Sequence, residues 1–298
     1  VEQWAAYGYL VLDNDYEGVS VPDPLALMRA TAAHEFHHAI QFGYDINDEL
    51  NWFYEATATW FETQTFIEDQ DATPYVPDLF VTPDICVGGA NDATAPLRIY
   101  AEWLLIDSIA QDHGAQSIQR LWEWVADVEG MPAFYGFAEE LNTTPQDVVL
   151  RYAIRNLLLD YELSSQFSDR VRVEANINGV GAVVPRQDGV QELGVEYLLI
   201  TDLRPYTFQI DQPNLSLYVV GVDQPSGTAQ VFELGQGGAV DTSVFTHAYV
   251  IVFNTDLHDS PAFCTETSWT LTVGDGAGAT FAQPLGENFS AAQFIPAG

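Results

Sequence analysis

The sequence predicts an α+β protein: a mainly helical domain over residues 1–168 with a short N-terminal strand region, then a β-sandwich domain over residues 169–298 ending in a loosely ordered tail. Three observations predict it. A chain of 298 residues is long enough for two domains. Apolar residues recur with helical period through roughly the first 165 positions. Beyond that point the pattern turns to alternation, in short runs spaced by turn residues, as in a β-sandwich.

The elements follow in order. Gly8–Asp13 (GlyTyrLeuValLeuAsp) reads as a short strand. Asp23 as N-cap and Pro24 at the first helical position start a helix that runs to about Phe42, before Gly43. Along it Leu25, Met28, Ala32, Phe36 and Ala39 form an apolar stripe expected to pack. A second helix covers about Asn51 to Phe66, and residues 67–95 read as a long loop containing Pro and Asp. Helices are expected at about 96–112, 115–128 and 132–142, and a last one opens on Thr144, Pro145 and Asp147 in capping-box spacing and ends near Leu159. Strands are expected at 171–177, 193–200, 206–210, 215–221, 229–234, 244–253 and 267–273, with little order after Gly274.

Composition excludes several functions. Nine Lys+Arg stand against 43 Asp+Glu, for a formal net charge of -34, and all nine bases are Arg. A lysine-free chain has no Schiff-base lysine, phosphate-loop Lys or Ser-Lys dyad. Nucleic acid is an unsuitable partner for so negative a surface, and anionic membranes are disfavoured likewise. No run approaches the length of a membrane-spanning segment. The chain opens at Val1 with no signal-like stretch, which we read as the start of a trimmed form that says nothing about export. Cys86 and Cys264 allow one intramolecular bridge, which would staple the two halves together and makes sense in an oxidising compartment; two unpaired thiols are the alternative.

The chemistry concentrates in His34-Glu35-Phe36-His37-His38, a His-Glu-x-x-His pattern. At about 100° per residue the rings of His34 and His38 stand about 40° apart, one turn separated, so both imidazoles can reach one metal ion. Glu35 lies about 80° from their midpoint, near enough to serve as a base beside the metal. A catalytic zinc takes three protein ligands and keeps one position open. Glu55, 17 residues after His38 on the next helix, is the favoured third ligand, with Asp45 and Glu62 as rivals. His37, on the opposite flank, is expected to be a non-ligand that packs or lines the cleft. His113 at a helix end before Gly114 reads as an ordinary C-terminal cation, while Tyr100, Arg98 and His113 are the candidates for stabilising an oxyanion. His247 and His258 read as structural, and Thr59 either as a hydrogen-bond partner of the ligands or as an ordinary buried threonine. Asp13 to Gly18 resembles the start of a calcium loop, but Pro24 stands where its bidentate Glu should be.

HisGluPheHisHisAlaIleGln followed by TrpPheTyrGluAlaThrAlaThrTrp resembles the gluzincin metallopeptidases, and more narrowly a group of exported bacterial metalloprotease-like proteins with a Trp-x-x-Glu-Gly-Thr-Ala-Thr-Trp segment. Ala56 stands where that group has Gly. The resemblance covers about residues 7–125 and implies a zincin-like catalytic domain, Zn²⁺ as cofactor, His34, His38 and Glu55 as its ligands and Glu35 as catalytic base. The expected function is a zinc-dependent endopeptidase, extracellular or in the cell envelope, acting on a peptide or protein with metal-activated water. The acidic field should favour cationic or neutral substrates. An extended substrate could pair with the strand at Gly8–Asp13. The competing reading is a cell-surface binding or adhesion protein whose zinc site is structural or vestigial; a zinc hydrolase acting on another bond is a third.

Overall fold

The structure, a computed structural model, describes residues 5–12, 23–47, 49–69, 71–89, 95–185 and 189–296. It is an α+β protein that divides into two compact units, Val1–Leu79 with Gly88–Val148 and Phe80–Val87 with Val149–Gly298. The division falls at 148/149, inside the last long helix, whereas the change in sequence periodicity comes about twenty residues later.

In the first unit, α1 (Pro24–Gln41) begins as its sequence requires, with the Asp23 carboxylate accepting from the N–H groups of Leu25 and Ala26 at 3.0 and 3.2 Å. It packs on α2 (Asn51–Thr65), but not through the expected stripe. The buried face is Ala30, Ala33, His37 and Gln41, while Leu25 and Phe36 are about half exposed. Small alanines let the helices approach closely, and the two polar residues on that face find partners or stacking on α2. His37 stacks on Phe61 at 4.8 Å between ring centroids.

A tight turn reverses the chain between the helices. Asp45 accepts the Asn47 N–H at 2.6 Å, and the Tyr54 hydroxyl donates to the Asp45 carbonyl at 2.8 Å. α2 is buried on most of its circumference, from Trp52 to Thr63. Its Trp52 indole lies against Gly88, whose φ is +76° and where a Cβ would come within 2.3 Å of the ring, so only glycine fits. α3 (Val76–Phe80), preceded by a 3₁₀ turn at Thr73–Tyr75, occupies part of what reads in sequence as a long loop. The helix expected over 96–112 is broken into α4 (Arg98–Ala101) and α5 (Trp103–His113), and α5 ends on Gly114 at φ +83°. α6 (Gln116–Val125) and α7 (Met131–Glu140) complete the unit. α8 (Pro145–Leu158) crosses the boundary; Thr144 Oγ1 caps its start, accepting the Asp147 N–H at 3.0 Å and donating to the Asp147 carboxylate at 2.7 Å.

Residues 8–12 do not form the expected strand, and Asp13 lies outside the described residues. Ala6 donates to the Phe42 carbonyl at 2.7 Å and Gly8 lies against Ala39, so this segment is attached to a helix end, with no strand to pair with. The calcium-loop-like stretch from Asp13 to Gly18 also lies outside the described residues.

The second unit contains a six-stranded sheet ordered β1-β4-β9-β6-β7-β12 and a four-stranded sheet ordered β2-β11-β5-β8. The first comprises β1 (Val173–Ile177), β4 (Val195–Ile200), β6 (Leu215–Asp223), β7 (Thr228–Gly235), β9 (His247–Asn254) and β12 (Pro284–Ser290). The second comprises β2 (Gly181–Val183), β5 (Pro205–Ile210), β8 (Gly237–Asp241) and β11 (Leu271–Asp275). β3 (Val190–Gln191) and β10 (Glu266–Thr267) form a separate pair. Strand β1 runs parallel to β4 and the other pairings are antiparallel. One apolar cluster takes Leu198, Val219 and Val250 from the larger sheet and Phe208, Val240 and Leu271 from the smaller. β12 corrects the expectation of a loose tail: despite its Pro and Gly it pairs with β7, with an irregular register between Pro284 and Asn288.

Residues 80–87 join this unit through backbone bonds from Arg172 to Phe80, Gln191 to Asp84 and Val195 to Pro83, at 2.8 to 2.9 Å. The Cys86–Cys264 disulfide is formed, with Cα atoms 6.5 Å apart. Both cysteines belong to the second unit, so the bridge fastens this eight-residue excursion to the β-rich part and does not staple the two halves.

Candidate metal centre

His34, His38 and Glu55 converge. The Nε2 atoms of His34 and His38 are 3.0 Å apart, and Glu55 Oε2 is 3.1 Å from the first and 3.7 Å from the second. Three ligands at about 2.0–2.1 Å from a tetrahedral centre stand about 3.3 Å from one another, so the spacing suits a zinc-sized ion. The pairing arises from local geometry. Residues four apart on α1 share a face, and the reversed α2 brings Glu55 back to it, with Glu62 two turns further along.

The far nitrogens fix the rings. His34 Nδ1 lies 2.6 Å from Glu62 Oε1, and His38 Nδ1 lies 2.6 Å from Gln41 Oε1. Gln41 is fully buried, and its amide nitrogen donates to the Tyr54 carbonyl at 2.9 Å and to Thr57 Oγ1 at 2.8 Å. With both amide hydrogens committed, its oxygen must accept, so His38 carries its proton on Nδ1. The Nε2 lone pair of His38 then faces the convergence point. The carboxylate of Glu62 holds His34 Nδ1–H in the same way.

Electrostatics describe the donors with protons in place of metal. Burial disfavours a charge on His34, but hydrogen bonds to Glu55 and Glu62 outweigh it and raise its pKa to about 9. Burial works against the Glu55 anion too, yet the hydrogen bonds to His34 and His38 bring it down to about 2. Glu62, almost wholly buried, is raised by desolvation. His37 falls to about 3 through burial and its two histidine neighbours, and neither of its nitrogens has a hydrogen-bond partner, so it is a neutral packing residue.

Glu35 is half buried on the next position of α1, and among the described residues its carboxylate has no hydrogen-bond partner. The Tyr100 ring lies 6.2 Å from that of His34, and its hydroxyl is pushed up by burial and by Glu55, Glu35 and Glu62. Of the three oxyanion candidates, Tyr100 faces the site. Arg98 does not: it is buried in an ion pair with Glu102 at 2.5 Å and donates to the Gly89 carbonyl at 2.8 Å. His113 is exposed at the end of α5. Asp45 is spent on its own turn, and Glu62 sits behind His34 and not among the converging donors. Thr59 Oγ1 is buried without a partner, so the threonine that supports the site is Thr57. Sequence reasoning missed Gln41 and Thr57. Gln41 lies three residues past His38 on the same helix side, a spacing that could have suggested it.

The molecule is thus an α+β protein with a convergent two-histidine, one-carboxylate group on a helix pair. It belongs to a family of unknown function (DUF6055), whose pattern matches residues 1–213 and so takes in the whole helix pair. No curated protein and no solved structure matches the chain.

Proposed function

We propose that this chain is a zinc-dependent endopeptidase in which His34, His38 and Glu55 hold the ion and Glu35 is the general base. The observation that carries the reading is the pair of outer hydrogen bonds: with both Nδ1 atoms engaged by Glu62 and Gln41, both Nε2 atoms are turned towards Glu55 Oε2. Such second partners are what a metal-binding histidine needs to keep its tautomer and orientation. When bound, zinc supplies a Lewis acid and a water acidified towards neutral pH.

The chain's own residues do the rest. Glu35, without a hydrogen-bond partner among the described residues and one residue from His34, accepts the proton of the attacking water and returns it to the leaving amine. Tyr100 donates its phenolic hydrogen bond to the oxygen that becomes negative as the carbonyl is attacked. Among the described residues no fourth metal-ligating side chain joins the trio, which favours an open position over a closed structural site. We read the first unit as zincin-like and the second as a β-sandwich accessory domain. The disulfide supports an extracellular or cell-envelope location.

The test is zinc content together with peptide hydrolysis by wild type and Glu35→Gln. The proposal expects one zinc per chain in both and hydrolysis in wild type alone. Full activity in Glu35→Gln would refute the assigned base.

A further inference from the structure

We infer that the site takes a substrate with a cationic group beside the bond it cleaves, and that Asp71 and Tyr75 recognise that group. This rests on the metal-site reading above and names its substrate class.

Acid surrounds the trio beyond its own ligand: Glu35 and Glu62 are joined by Asp71, whose charge acts on His34, Glu62 and Tyr75. Among the described residues Asp71 has no hydrogen-bond or ion-pair partner, although it is only half exposed. Glu62 is 5% exposed, and its second oxygen is buried without a partner among the described residues. Two aromatic rings lead outward from the metal-binding histidine. Tyr100 lies 6.2 Å from His34, and Tyr75 lies 5.1 Å from Tyr100, each pair tilted by 34°. Aromatic faces beside an unpaired carboxylate make a binding place for an ammonium or guanidinium group.

The cations of the unit tell the same story from the other side. It contains three arginines and no lysine. Each arginine is committed to an acid, Arg29 to Asp69, Arg98 to Glu102 and Arg120 to Glu140. An acidic substrate side chain or a terminal carboxylate therefore finds no uncommitted arginine in this unit, which disfavours removal of C-terminal residues. A basic side chain or a free α-amine finds Asp71 without a hydrogen-bond or ion-pair partner among the described residues.

The experiment measures peptide binding by calorimetry to zinc-loaded, full-length Glu35→Gln at 150 mM salt, with hydrolysis by wild type followed in parallel. Paired peptides carry one arginine or its neutral isostere citrulline, each with a free or an acetylated N-terminus. The arginine peptide should bind at least about tenfold more tightly, and Asp71→Asn should remove most of that difference while leaving the citrulline peptide unchanged. Tyr75→Leu should reduce the difference too. Asp127→Asn, in a separate cleft with Arg120, Glu123, Trp124 and Glu140, should preserve it, which separates local recognition from the field of a chain with net charge -34. A preference that survives with citrulline but disappears on acetylation assigns the site to an α-amine. Equal affinity of all four peptides, or an undiminished preference in Asp71→Asn, overturns the inference whether or not wild type cleaves anything. Preference without hydrolysis sustains recognition of the cationic group by Asp71 and Tyr75 and overturns the peptidase reading, and with it the placing of that group beside a cleaved bond.

Discussion

In the helical unit His34, His38 and Glu55 bring three metal-ligating atoms within 4.8 Å of one another, and in the β-rich unit Cys86, His258 and Cys264 do the same. The residue types and spacing alone would recommend either group. They differ in what their neighbours leave available. In the first, Glu62 and Gln41 occupy the outer nitrogens and turn the inner lone pairs towards a common point. In the second, the sulfurs are joined to each other, so no thiolate remains to bind an ion. Proximity of donors is therefore a weak guide to a metal site. The commitments of the atoms behind them decide it.

That contrast can be broken in several places, and the largest effect is expected at the ligands. His34→Ala should take the zinc content from one per chain to none, read by metal analysis after dialysis, and should leave the disulfide intact. Glu35→Gln should keep the metal and lower the rate of hydrolysis by about 10²–10⁴-fold, the usual contribution of a general base. Replacing Cys86 and Cys264 together by Ser should cost the β-rich unit about 2–5 kcal/mol in denaturant unfolding, because their bridge closes a long stretch of chain, yet zinc should remain at one per chain. Glu62→Gln and Gln41→Leu should each weaken zinc binding by about 10–100-fold in chelator competition.

The most diagnostic effect is in pH. Without metal His34 is raised to about 9, so at neutral pH zinc must displace its proton. Affinity should therefore rise about tenfold per pH unit from neutrality and flatten above about pH 9, with one proton released per ion bound. A flat profile across that range would remove His34 from the ligand set.

Much of this was legible in the residues, and the failures have physical causes. Asp23 and Pro24 announced the start of α1, and Thr144 with Asp147 that of α8, because caps are local chemistry. The two histidines and Glu55 were legible because their spacing depends only on helix geometry and one reversal. The packing face of α1 was misread because hydrophobicity was taken as the guide. What is buried is Ala30, Ala33, His37 and Gln41, where small size and partners on α2 matter more than apolar character. Strands with strong alternation, such as Pro205–Ile210, were found; Gly237–Asp241 and Pro284–Ser290 were not, since their pairing with neighbours, and no propensity of their own, makes them strands. Residues 8–12 erred in the opposite way, having strand propensity without a strand to pair with among the described residues. Helix 96–112 broke at Glu102, which is buried against Arg98 and the Gly88 N–H, a tertiary demand that no window of sequence displays.

The central claim is that the outer partners of His34 and His38 leave a three-ligand site with room for a water. X-ray absorption at the zinc edge on the full chain, oxidised and near neutral pH, measures this directly. The account predicts one zinc per chain with two imidazole nitrogens and two oxygens, one from Glu55 and one exchangeable with solvent. Sulfur in the coordination shell, four protein ligands, or no stoichiometric zinc would contradict it.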